Sequence, residues 1–82
     1  MSLSQREKQN MIIWSWYENE SENDYPSELV MEALEWFTRD DTLPDYGYTG
    51  SWREQLEYCS DRMNGGRARA ILRLLKAQAG KE

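Results

Sequence analysis

The sequence contains no histidine, a single cysteine, two prolines and one phenylalanine among its 82 residues, and its bases are outnumbered by its acids, 10 to 15. Without histidine the commonest general base is missing, and with it the serine and cysteine triads and most zinc sites. The lone Cys59 excludes an internal disulfide framework and offers no metal-ligand spacing, so it reads as a buried free thiol in a chain suited to a reducing compartment. The longest apolar run, Met11 to Tyr17, is broken by Ser15 and falls far short of the ~20 residues that cross a bilayer. The first residues carry no apolar core of the signal-peptide kind. The expectation is a cytoplasmic protein with no membrane contact and no cofactor or metal.

What is present fits one domain spanning 1–82. Apolar residues make up 39% and charged residues 30%, within the globular range. A chain of this length buries somewhat more than about 60% of its unfolded surface, which leaves a thin margin of stability. Four Trp and five Tyr are many for such a chain. The rings can supply the mass of a small core, or serve as contact surface, where Trp and Tyr are over-used.

The stretch from Pro26 to Phe37 organises the rest. Leu29, Val30, Ala33, Leu34 and Phe37, with Trp36 on the flank, form one broad stripe of a 3.6-residue period, and Glu28, Glu32 and Glu35 fall opposite. Leu34 and Trp36 are therefore expected in the core. Ser4-Gln5-Arg6-Glu7 has the form of a capping box and starts a helix over 4–18, whose Met11, Ile12, Ile13, Trp14, Trp16 and Tyr17 are too many for a narrow stripe. Glu18 to Asp24 has no apolar residue and reads as a solvated connection. Proline suits a first helical turn, so a second helix is expected over 26–39. Ser51-Trp52-Arg53-Glu54 repeats the capping spacing, and Trp52, Leu56, Cys59 and Met63 define a third helix over 51–63. Asn64-Gly65-Gly66 is expected to end it with a left-handed glycine. Ala68, Ile71, Leu72, Leu75 and Ala79 give a fourth helix over 66–79. The fold class is all-α: about four short helices, orthogonal or bundle-like, with a long aromatic loop between the second and third. In that loop Leu43, Tyr46 and Tyr48 can fold back over the open end of the core or stand out as anchors.

Charge is segregated along the chain. From Glu18 to Asp45 ten acids face the single base Arg39, a net of −9, whereas from Arg62 to Glu82 six bases face one acid, a net of +5. Hydrolysis would require a carboxylate pair, and these carboxylates lie on loops and on one polar helix face, where solvation keeps them ionised. Asp40, Asp41 and Asp45 match no calcium-loop spacing.

The leading reading is a non-enzymatic module that binds another protein through Glu28, Glu32, Glu35, Asp40, Asp41, Asp45, Tyr46 and Tyr48. Carboxylates stepped along a helix present charge of a kind that a nucleic-acid-binding groove accepts, so the partner expected is a nucleic-acid-binding protein or complex. In composition alone the chain resembles small acidic inhibitors of phages and mobile elements, some anti-CRISPR and DNA-mimic proteins among them. The alternative reading is nucleic-acid or phosphate binding by a basic helical hairpin, with Gly65, Gly66, Arg67, Arg69 and Arg73 as an anion site at a helix start. The acidic remainder of the chain opposes it.

Overall fold

The computed structural model describes residues 2–79 and holds four helices, α1 (Gln5–Asn19), α2 (Glu28–Asp40), α3 (Trp52–Tyr58) and α4 (Gly65–Ala79). The second helix lies at the centre, packed against both α1 and α4, while α3 packs against α4. None of the helices described is long and apolar enough to cross a membrane.

Each start is set by a side chain that satisfies an exposed helix amide. Ser4 and Glu7 close the full capping box. Ser27 accepts from the Val30 amide, so α2 begins at Glu28, two residues beyond the proline. Ser51 accepts from the Glu54 amide at 3.1 Å. For α4 the cap is Asn64, whose side-chain oxygen takes the Arg67 amide at 2.8 Å.

The core gathers Ile13 and Trp16 from α1, Val30, Ala33, Leu34 and Phe37 from α2, Trp52 and Leu56 from α3, and Ala68, Ile71 and Leu75 from α4, joined by Cys59 and Met63. Two members of the expected α2 stripe are displaced. Leu29 is 62% exposed and Trp36 is only half-buried. A helix shows its neighbours only part of its circumference, and both residues sit on the edge of the stripe that turns toward α1. On α1 the aromatics divide: Trp16 is buried against Trp52, ring centroids 6.0 Å apart, while Trp14 and Tyr17 face outward and touch each other. The acidic connection is tethered as well as solvated, because Arg53 donates to the Ser21 and Asn23 carbonyls and Tyr25 packs edge-on against Trp52.

Two features of the 58–66 region depart from the expectation. The third helix stops at Tyr58, not at Met63, because α1 intervenes: the Asn10 amide donates to the Ser60 carbonyl at 2.8 Å and its oxygen accepts from the Met63 amide at 3.0 Å. Those bonds replace the ones that another helical turn would make, and Met63 still reaches the core. The glycines after Asn64 are not left-handed either; among the described residues the positive-φ glycines are Gly47 at 78° and Gly50 at 90°, both in the long loop. Gly65 and Gly66 instead form the first turn of α4, under the incoming loop. A β-carbon at Gly65 would lie 2.8 Å from the Phe37 carbonyl oxygen, and one at Gly66 would lie 2.6 Å from that of Pro44. These glycines are required for close approach of backbone to backbone.

Cys59 is fully buried, and burial raises its thiol above the ordinary range. Iodoacetamide should therefore leave the native protein unlabelled over hours and label it promptly in concentrated urea. Prompt labelling of the folded protein would contradict this placement.

Candidate functional site

The two charged regions of the sequence meet, but only in part. The chain leaving α2 runs back over the start of α4, and its carboxylates are received there. Asp41 accepts from the Gly65 amide at 2.8 Å and lies 3.7 Å from Arg69, while its other neighbour Arg6 approaches to 3.6 Å. Arg69 also donates to the carbonyls of Thr38, Asp41 and Leu43. Asp45 takes two hydrogen bonds from Arg73, at 2.7 and 3.1 Å, and Arg73 donates further to the Tyr48 carbonyl. Asp40 pairs with Arg6 from α1, whose guanidinium lies over the Phe37 ring. Of the residues grouped by sequence as an anion site, Gly65, Gly66, Arg67, Arg69 and Arg73, three are engaged by carboxylates of the same chain: Gly65 and Arg69 by Asp41, and Arg73 by Asp45.

The tyrosines belong to the same clasp. Tyr46 accepts from the Asn64 side chain at 3.0 Å, and Arg67 lies over its ring. Its own amide donates to the Gly66 carbonyl. Tyr48 is half-buried against the core, with its hydroxyl 3.5 Å from the Cys59 sulfur.

Electrostatics follow this geometry. Burial works to raise the Asp41 carboxyl, and the Gly65 and Leu43 amides with Arg6 and Arg69 outweigh it, so the group sits below its ordinary value. Hydrogen bonding from Arg73 is the main cause that lowers Asp45. A carboxylate held low when folded contributes stability above its unfolded pKa, about 4, and loses it as pH falls through the folded value. The urea midpoint should therefore be nearly flat between pH 7 and about 5 and decline below about pH 4. Asp45→Asn should lower the midpoint at pH 7 and differ much less from wild type at pH 3. A gap of equal size at both pH values would remove Asp45 from the acid response.

The remaining predicted site residues stand apart from the clasp. Glu28, Glu32 and Glu35 are exposed on the outer ridge of α2, and no ion pair among the described residues reaches them. The same holds for Glu18 in the last turn of α1 and for Glu20, Glu22 and Asp24 in the connection that follows. No family model, curated protein or solved structure matches the chain. The geometry alone therefore bears on function.

Beside the ridge runs a furrow that the sequence reading did not identify. One hollow of about 240 Å³, between α1 and α2, is lined by Met11, Ile12, Leu29 and Val30 with Glu20 at its edge. A second, about 280 Å³, lies on the other side of Leu29 between Ile12, Trp36 and Glu32. The signal for it was in the α2 pattern: Leu29 and Trp36 lie seven residues apart, hence two turns apart on one edge. A larger hollow, about 580 Å³, opens between the start of α1 and the 61–64 turn, where Arg6, Arg62 and Arg67 are interspersed with Glu7 and Asp61.

Proposed function

We propose that this protein is a non-enzymatic binding module whose contact face is the acidic ridge of α2, Glu28, Glu32 and Glu35, extended by the acidic connection before it. The observation that carries this reading is the selective pairing of charge. Asp40, Asp41 and Asp45 are matched by Arg6, Arg69 and Arg73, whereas the acids from Glu18 to Glu35 have no ion-pair partner among the described residues. A run of unmatched carboxylates in ordered structure attracts a basic surface from a distance, in a salt-dependent way. The partner is a protein with such a surface, and the class that fits best is one whose basic site otherwise holds nucleic acid. On this reading the module occupies that site. Direct binding of nucleic acid is disfavoured, since Arg69 and Arg73 are spent on the loop.

The test compares wild type with the Glu28→Lys/Glu32→Lys/Glu35→Lys variant as immobilised bait in host lysate. The variant should keep its helical circular-dichroism spectrum and a Tm within about 5 °C of wild type, because solvated charges add little stability. A protein that wild type retains at low salt should be absent from the variant, and wild type should release it as salt rises. Equal retention by both baits would refute the acidic-face reading. A mobility-shift assay with labelled duplex DNA and RNA at low salt should show no complex.

A further inference from the structure

We infer that the furrow between α1 and α2 receives one basic amphipathic helix of the partner, its apolar stripe seated around Leu29 and its cationic flank on the α2 ridge. This inference rests on the binding reading above and specifies what is bound.

The furrow has the features of a helix-receiving groove. Met11 and Leu29 are 56% and 62% exposed, more than other large apolar residues of the two helices they belong to. They meet at the seam with Ile12, which is already half-covered by the core. Leu29 lines both hollows, so the groove offers a mainly apolar receptacle at Met11, Ile12 and Val30, followed by a mixed one where Ile12 and Trp36 stand beside Gln9, Glu32 and Arg39. Leu29 and Trp36 mark out about 10 Å along α2. That is the length over which a helix presents anchors at i, i+3 or i+4, and i+7.

Charge selects among occupants. The groove is edged by Glu20 and Glu32, with Glu28 and Glu35 on the adjoining ridge; against these four acids, Arg39 lines the second hollow and Lys8 is exposed one turn before Ile12 on α1. An acidic or neutral amphipathic helix would bring its flank against unmatched carboxylates, and a second copy docked through the same face would oppose one glutamate ridge to another. A helix with Lys or Arg beside an apolar stripe satisfies both halves of the surface. A single strand of nucleic acid satisfies neither, being anionic and lacking an apolar edge of that shape.

The experiment uses the whole chain and three synthetic helical peptides of equal length. One carries a leucine stripe flanked by lysine and arginine, one the same stripe flanked by glutamate, and one the basic composition with the stripe scrambled. In amide chemical-shift mapping the basic striped peptide should perturb Met11, Ile12, Leu29 and Trp36, and the other two should bind at least about tenfold more weakly. Leu29→Asp should weaken the basic striped peptide by about tenfold or more while leaving Tm unchanged, since the side chain is outside the core; Met11→Glu is the independent check. If the scrambled basic peptide binds as tightly and Leu29→Asp has no effect, the contact is charge alone and the furrow inference fails, although the acidic face survives. If no peptide binds and the Glu28/Glu32/Glu35 variant still retains the partner from lysate, both readings fail. Sedimentation should show a monomer; a dimer abolished by Leu29→Asp would assign the furrow to a second copy and overturn the inference.

Discussion

Gly65→Ala and Gly66→Ala should each lower the stability of the fold by about 1–3 kcal/mol, the range for forcing atoms into a closely packed site. On helix propensity alone the sign would be reversed, because alanine in place of a helical glycine gains about 1 kcal/mol. The geometry decides against propensity. At both positions the new methyl meets a backbone carbonyl oxygen, that of Phe37 near the end of α2 or that of Pro44 in the loop, at under 3 Å. A backbone atom cannot rotate away as a side chain can, so the end of α2 with the chain that leaves it must shift for Gly65→Ala, and the 41–46 segment must lift from α4 for Gly66→Ala. Lifting it withdraws Asp41 from the Gly65 amide and Tyr46 from the Gly66 carbonyl. Urea denaturation of the two single variants gives the answer. An increase in stability for either would show that the loop is not pressed onto α4.

The larger single effect should come from Leu34→Ala. Leu34 is fully buried at the centre of α2, the helix that touches both α1 and α4. Removing its methyl groups leaves a cavity bordered by two helices, which places the loss at about 2–5 kcal/mol. For a chain of 82 residues that is a large part of the total. Trp36→Ala, two residues on, should cost less than half as much. The ring is larger, but it lies edge-on to Phe37 with its outer side facing the furrow. A loss at Trp36 equal to that at Leu34 would mean that α2 is rotated from its present setting.

The contrast between Leu34 and Trp36 marks what the sequence could disclose. Periodicity located α2 and its buried residues Val30, Ala33, Leu34 and Phe37, because a repeat of 3.6 is a property of the chain alone. It cannot say how wide the covered arc is, which depends on how closely α1 approaches, so the stripe alone extends to Leu29 and Trp36, which the fold leaves at its edge. Capping was legible for the same local reason: Ser4 and Glu7 need only each other and the intervening turn. Gly65 and Gly66 were read for the freedom that glycine possesses, when the fold uses the side chain that glycine lacks. Opposite charge on the two halves of the sequence was plain, but which acids would be matched was not. That choice is made by the path of the loop, which delivers Asp41 and Asp45 to α4 and leaves Glu28, Glu32 and Glu35 outside.

The bonds from Asn10 to Ser60 and Met63 also bear on how the molecule can be divided. The α3–α4 hairpin looks like a module, two helices joined by a short turn, yet the end of its first helix is written in α1. Cut away from α1, the segment after Tyr58 has its own apolar periodicity as guide, and that pattern continues to Met63 in helical register. The hairpin is therefore not a transplantable part. Its boundary is a joint property of two distant stretches, and because Asn10 holds main-chain groups of the 60–63 turn, the side chain that sets where α3 ends is one on α1 and not one in the turn itself.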